Sequence, residues 1–407
     1  MVDGHDADPT TFYVSPDLGS DDASGQTPND PWQSLQFGFD QAQPGQTIYL
    51  LDGEYRGETE PGRAHYVMFN SGTRAEPITI AAAPGHQPTL IANAGNGLSI
   101  RGDFVTVDGL TVRGENFDAD NSYGWGILIR ESHHVRVLNS EVSDMAVGGI
   151  SSVESSSLEI AGNTIYGNSF WGTEQGSGIS MWHSADHGQA PDADGYHDRI
   201  VGNIVYRNEN KVFSRWSPDV DLISDGNGII IDQSQETGFT GRTLVANNVV
   251  FDNGGRGIMV HEAARVDIMF NTTYHNGRTA DLSGGPVELS SSRSFDVRIL
   301  NNVAWGRSEV GPIQSKQSTD VETGGNVVIT DIEQWANYGV TNLDTVRLAD
   351  PGLAAPSLNP EEADFRPNAD SVLVGQALES HPWLGFDANG NQRVAGAATV
   401  GAFELAN

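Results

Sequence analysis

Eight short segments of this chain can be laid over one another: GLSIRG (97–102), GILIRES (126–132), GISSVES (149–155), GISMWHS (178–184), GIIIDQS (228–234), GIMVHEA (257–263), PVELSSS (286–292) and PIQSKQS (312–318). The first and third residues after the small leading one are nearly always aliphatic, as in Ile127 and Ile129, Ile179 and Met181, Ile229 and Ile231, Ile258 and Val260. That is a period of two, the mark of a strand with one buried face. A second strand follows each, as in VRVLNSEVSD, LEIAGNTIYGN, RIVGNIVYRN, TLVANNVVFDN, VDIMFNTTYHN and VRILNNVAWG. Asn139, Asn163, Asn203, Asn248, Asn271 and Asn302 hold the same place in these strands. Asparagine recurring at one register predicts an internal ladder, each side-chain amide bonding to the next coil at about 4.8 Å. Where no long insertion intervenes, the unit recurs every 23–31 residues. Short strands at that period, with an asparagine ladder and no heptads, specify an all-β fold: a single right-handed parallel β-helix.

Each coil of such a helix touches only its neighbours, so its ends need caps. Residues 1–50 are the expected N-terminal strand and cap, in which PWQSLQFGFDQAQPG (31–45) predicts a short helix with Trp32, Leu35 and Phe39 inward. The coils occupy 51–335, and 336–407, Pro- and Asp-rich and without the repeat, are expected to wrap the far end.

Bulk composition restricts the partners. The formal charge is −32, with 54 acidic against 22 basic residues, and only Lys211 and Lys316 are lysines. Nucleic-acid binding needs a basic footprint and is excluded on this ground. A dense carboxylate shell suits a protein from a salty habitat, where it maintains solubility. An acidic polymer would be repelled at long range unless salt screened the field, which molar salt does within about 3–5 Å. There is no cysteine, so disulfides contribute nothing. No apolar run reaches membrane-spanning length and no charged leader with an apolar core opens the chain. MVDGHDADPT is taken as a mature domain behind an added initiator Met, and a secreted or periplasmic monomer is the expectation.

With the first and third strand positions inward, the second and fourth point out. The fourth-position column reads Arg101, Arg130, Val153, Trp182, Asp232, His261, Ser290, Lys316. Three successive coils therefore set Trp182, Asp232 and His261 side by side, with His183, Gln233 and Glu262 at the strand ends. Two insertions fall at these coils: 184–198 after the Trp182 strand and 207–225 before the Asp232 strand. Long loops in a compact repeat are uncommon without a functional reason, and these are expected to wall a groove. The second holds Lys211, Arg215, Trp216, Asp219, Asp221 and Asp225. Trp182 is either a sugar platform or an aromatic shielding the sheet. His261 beside Asp232 points to acid–base chemistry, against the bland reading of a solvated strand histidine. Glu262, Glu131 and Glu154 read as solvated turn charges, and Lys316 as peripheral. Asp219, Asp221 and Asp225 offer hard oxygen ligands of the kind calcium takes, though the spacing matches no specific calcium loop and a solvated acidic loop competes.

The opening TFYVSPDLGSDDASGQTPNDPWQSLQFGFDQAQPGQTIYLLDGEYRG resembles the N-terminal cap of carbohydrate-active β-helix proteins, and the closing DFRPNADSVLVGQALE and GAFE resemble their C-terminal wrap. These proteins include pectate lyases, alginate lyases of the chondroitinase B type and mannuronan C5-epimerases. The resemblance covers nearly the whole chain and implies architecture and a polysaccharide partner; it does not fix chemistry. In the chondroitinase B type the strand aligned with IIIDQSQET carries a catalytic lysine where Gln233 stands, and the next coil's arginine falls near His261. Pectate lyases sharing this cap carry a lysine base at the place of Ile230, and NENKVFSRW (208–216) replaces their calcium-binding aspartates. The epimerases have an aspartate followed two residues later by histidine; Asp232 matches the first and Ser234 replaces the second.

The leading expectation is a polysaccharide lyase acting by β-elimination on a uronic acid polymer. That reaction needs a partner for the carboxylate, a base for the C5 proton and an acid for the leaving oxygen. Gln233, Asn227 or Arg256 is expected in the first role, His261 or Lys211 in the second and His183 in the third, with Asp232 orienting His261. Trp182, Arg215, Trp216, Arg130 and Glu262 complete the expected binding surface. The alternative is a glycoside hydrolase pairing Asp232 with Glu262, Asp225 or Glu174. A C5-epimerase and a non-catalytic binding β-helix are the remaining readings.

Overall fold

Alternating burial drives the chain into three parallel sheets wound as a right-handed β-helix. A computed structural model describes residues 10–57, 63–217, 219–332, 341–343, 345–379 and 384–405. Among these, sheets of twelve, nine and eleven strands form the coil walls, and a two-stranded antiparallel pair lies outside them. The nine-stranded sheet carries the repeat read from the sequence: Ala64–Met68, Asn96–Ile100, Trp125–Arg130, Gly148–Val153, Ile179–Trp182, Ile229–Asp232, Ile258–His261, Val287–Ser292 and Gly311–Lys316. Its inward residues Ile127, Ile150, Ile179, Ile229, Ile258 and Leu289 are fully buried in one continuous core. The N-terminal end is covered by the helix Leu35–Gln41, which Ser34 caps by accepting from the Phe37 amide at 3.1 Å; Trp32, Leu35 and Phe39 are buried.

Two asparagine ladders stitch the coils. The first runs Asn163, Asn203, Asn248, Asn271, Asn302, Asn326, each Nδ2 donating to the next Oδ1 at 2.9–3.0 Å. Asn139 does not belong to it. That residue sits in the left-handed corner (φ 47°) and donates to Asp108, while Ser140 stands at the ladder's foot, its amide donating to Asn163 Oδ1. The second ladder lies five residues downstream: Asn168, Asn208, Asn253 and Asn276, ending on the Glu288 carboxylate with Asn276 Nδ2 to Oε2 at 2.6 Å. It explains the glycine that begins the central strands of the nine-stranded sheet. A Cβ on Gly178, Gly228 or Gly257 would lie 2.7–3.0 Å from the Nδ2 of Asn208, Asn253 or Asn276.

The described residues beyond 350 lie against the outside of the middle coils. Phe365, Leu373, Val400 and Ala402 pack on Tyr206, Val249, Phe251, Tyr274 and Val303. Arg393 is buried over the Phe270 ring and donates to Asn247 Oδ1 and Glu404 Oε1, each at 2.9 Å. Among the described residues no helix is long and apolar enough to cross a membrane.

Candidate active site

Parallel pairing sets the outward row. Trp182 aligns with Asp232, Asp232 with His261, His261 with Ser292 and Ser292 with Lys316, while Trp182 is preceded by Val153 and Arg130. Ser290, expected in this row, instead pairs with Met259 and is buried. The cause is Glu288. It occupies the place of the leading glycine because the second ladder needs a terminal acceptor, so an alignment keyed on a small residue slips by two in this coil. One residue past each strand the chain turns through a left-handed corner, giving a second row: Glu131, Glu154, His183, Gln233, Glu262, Arg293 and Gln317, with φ between 45° and 55°.

The centre of the two rows is a hydrogen-bonded chain. His261 Nδ1 lies 2.9 Å from Asp232 Oδ1, both side chains about one-fifth exposed. On the other side of the ring, Arg293 donates a terminal N–H to His261 Nε2 at 2.6 Å, and its Nε pairs with Glu262 Oε1 at 2.7 Å. A guanidinium only donates, so Nε2 accepts and Nδ1 carries the proton toward the carboxylate. Trp182 is 38% exposed and its Nε1 donates to Gln233 Oε1 at 2.7 Å. His183 stacks on Trp182 with ring centres 4.1 Å apart and lies 3.2 Å from Glu236 Oε2. His183 is thus stacked on the indole, while Gln233 bridges it to Glu262, its Nε2 donating to Glu262 Oε2 at 3.4 Å.

Behind the row lies a buried polar floor. Asn227 is fully buried, donating to Asp225 Oδ1 at 2.7 Å and accepting the Arg256 amide at 2.8 Å. Arg256 is also buried and spends its guanidinium on the carbonyls of Ser224 and Ser283. Neither therefore presents its side chain to the groove as expected. Burial first, then the nearby Asp232 charge, raises the Asp225 carboxyl to about 6, against the hydrogen bonds of Ser224 and Asn227 and the Arg256 charge. Burial depresses the Arg256 guanidinium, opposed by Asp225.

The two insertions flank the rows on opposite sides. Residues 184–198 lie past the strand ends, where His187 bonds the Glu154 carbonyl and Tyr196 the Asp267 carboxylate. Residues 207–225 lie before the strand starts, where Arg215 pairs with Glu174 at 2.6 Å and stacks on the exposed Trp216 ring. Burial raises the Glu174 carboxyl against the opposing pull of Arg215. Lys211 is more than half exposed, lies 3.6 Å from Glu209 and caps the Phe170 ring, and makes no ion pair with Asp232 among the described residues. Arg130 pairs with Glu131 at 3.2 Å. Asp219 and Asp221 are exposed while the Asp225 carboxyl is bound by Ser224 and Asn227. These three do not converge, and the described residues contain no group of three or more His, Cys, Asp or Glu able to hold a metal.

Arg293 is the functional candidate that sequence reading passed over. It follows His183, Gln233 and Glu262 in the corner row, and the two-residue slip at Glu288 hid it.

Residues 12–203 match the family model described as the Pel9A-like, right-handed β-helix region. Pectate lyase PEL9 of Emericella nidulans is 45% identical over 74 residues, which are 18% of this chain and 16% of that protein. Pectate lyase L of Paenibacillus polymyxa is 24% identical over 343 residues, 76% of this chain and 69% of its own length. The crystal structure of pectate lyase Pel9A superposes with a TM-score of 0.57 at 15% identity, covering 97% of this chain and 96% of that one. The coils, their ladders and the superposition on Pel9A make this chain a right-handed parallel β-helix protein, and its residues 12–203 are similar to the Pel9A-like β-helix region.

Proposed function

We propose that the protein is a polysaccharide lyase that cleaves a uronic acid polymer by β-elimination at the Asp232–His261 pair. The observation that carries the reading is the line Asp232, His261, Arg293: a carboxylate on Nδ1 and a guanidinium donating to the Nε2 lone pair. His261 Nε2 takes the C5 proton, the C5–H electrons form the C4=C5 double bond, and the C4–O4 bond breaks with its pair on the departing oxygen. The imidazolium is then the nearest proton source for that oxygen. Asp232 holds the ring and stabilises the imidazolium, and the Arg293 guanidinium balances charge building on the substrate carboxylate. Trp182 offers its exposed ring to a neighbouring sugar. The relatives' names, pectate lyase, agree with this class of substrate. The expected place of work on such a polymer is outside the cell. The test is incubation with pectate, alginate and glycosaminoglycans while following the ultraviolet absorbance of the unsaturated uronate. No absorbance from any of them overturns the assignment.

One observation favours a second reading. Asp225, whose carboxyl burial and the Asp232 charge push up to about 6, sits behind the row that carries Asp232, and a glycoside hydrolase uses two carboxyls in one groove. New reducing ends without ultraviolet absorbance would select it.

A further inference from the structure

In the resting site the proposed base is complete but covered. Arg293 is anchored at both ends of its peptide: its amide donates to the Lys316 carbonyl at 2.9 Å and its carbonyl accepts from Gln235 Nε2 at 2.9 Å. From that corner the guanidinium reaches back one coil, pairs with Glu262 and occupies the Nε2 lone pair of His261. A guanidinium does not give up its proton, so this lone pair can accept from nothing else while Arg293 stays. Hydroxyls or a methyl ester offer no charge to compete with Glu262. A free sugar carboxylate does, and its two oxygens match the guanidinium fork. Arg293 is half exposed, so such a group can reach it.

We propose that Glu262, Arg293 and His261 form a latch released by the substrate, which restricts this site to unesterified uronates. It rests on the lyase reading. The sugar carboxylate draws the guanidinium off Nε2, and the same movement neutralises the carboxylate and frees the base beneath C5. Arg293 sets specificity, while Glu262 is a positioning residue that fixes how hard the substrate must pull.

The test compares wild type, Arg293→Gln, Arg293→Lys and Glu262→Gln on free-acid polygalacturonate or alginate and on its methyl ester. Wild type should favour the free acid in kcat/KM by at least about 100-fold. Arg293→Gln should close most of that gap by losing the acid substrate, and Arg293→Lys should restore part of it. Glu262→Gln should lower KM for the free acid with little change in kcat. A second readout needs no turnover: diethyl pyrocarbonate modifies neutral imidazole nitrogens, and peptide mapping by mass spectrometry reports His261 alone. His261 should react several-fold faster in Arg293→Gln than in wild type. Equal turnover of acid and ester by wild type, or an unchanged His261 modification rate in Arg293→Gln, overturns the latch. Absence of unsaturated product from every free-acid polymer overturns the lyase reading, and the modification rate still decides whether Arg293 covers the base.

Discussion

His261 draws its chemistry from two neighbours one coil away on either side, and each can be removed separately. His261→Ala removes the imidazole bonded to Asp232 and should lower turnover by about 10²–10⁴-fold, the usual worth of a positioned base. Asp232→Asn keeps the shape but lets the amide donate toward Nδ1, which favours the wrong tautomer. It should lose activity of similar size with an unchanged melting temperature, measured by product absorbance and by circular dichroism. Asp232 and His261 were legible in the sequence because a strand's alternation is strict. The placement of His183 was not legible, because the residue after the strand turns through a left-handed corner (φ 52°), which sends its ring onto Trp182. Nothing in residue type announces that turn: glutamate, histidine, glutamine and arginine all occupy it.

The ladders are the elements that hold the rows in register. Asn248 is fully buried, accepts from the Asn203 amide and side chain, and donates to Ile200 O and Asn271 Oδ1. Asn248→Ala leaves those groups unpaired away from water and should cost about 2–4 kcal/mol, read from the denaturant midpoint. Glu288 ends the second ladder with its carboxyl raised from 4.5 to about 8, chiefly by burial and against its bonds from Asn276. Between those values the folded chain holds a proton that the unfolded chain has released. The stability contributed here is therefore complete below about pH 4.5 and is lost as pH rises toward 8. Glu288→Gln, neutral throughout, should flatten the fall in melting temperature across that window. The first ladder could be read from its spacing. The second was equally present in YGN, YRN, FDN and YHN, and went unread because strand periodicity draws attention to apolar positions. Its terminator then displaced the alignment in the coil that mattered.

At the scale of the molecule, a charge of −32 pushes the folded chain apart wherever salt does not screen it. Raising sodium chloride from about 0.1 M to about 1 M shortens the screening length from about 10 Å to about 3 Å. The melting temperature should climb over that range; a flat response would show that the acidic surface carries no such cost. The β-helix was legible from repeats alone, but the course of the last fifty residues was not, because they follow no period. They grip the flank through Arg393 on Asn247 and through Arg207, which donates to the Leu358 carbonyl at 2.8 Å. A stack of coils is ordinarily something that can be shortened, each removal leaving a smaller copy. Here, cutting the chain near 350 would strip the side and not the tip, baring Tyr206, Phe251 and Tyr274 together. The product would be a full-length spindle with a sticky flank, prone to self-association, and trimmed versions of this protein will have to keep that strap or replace it.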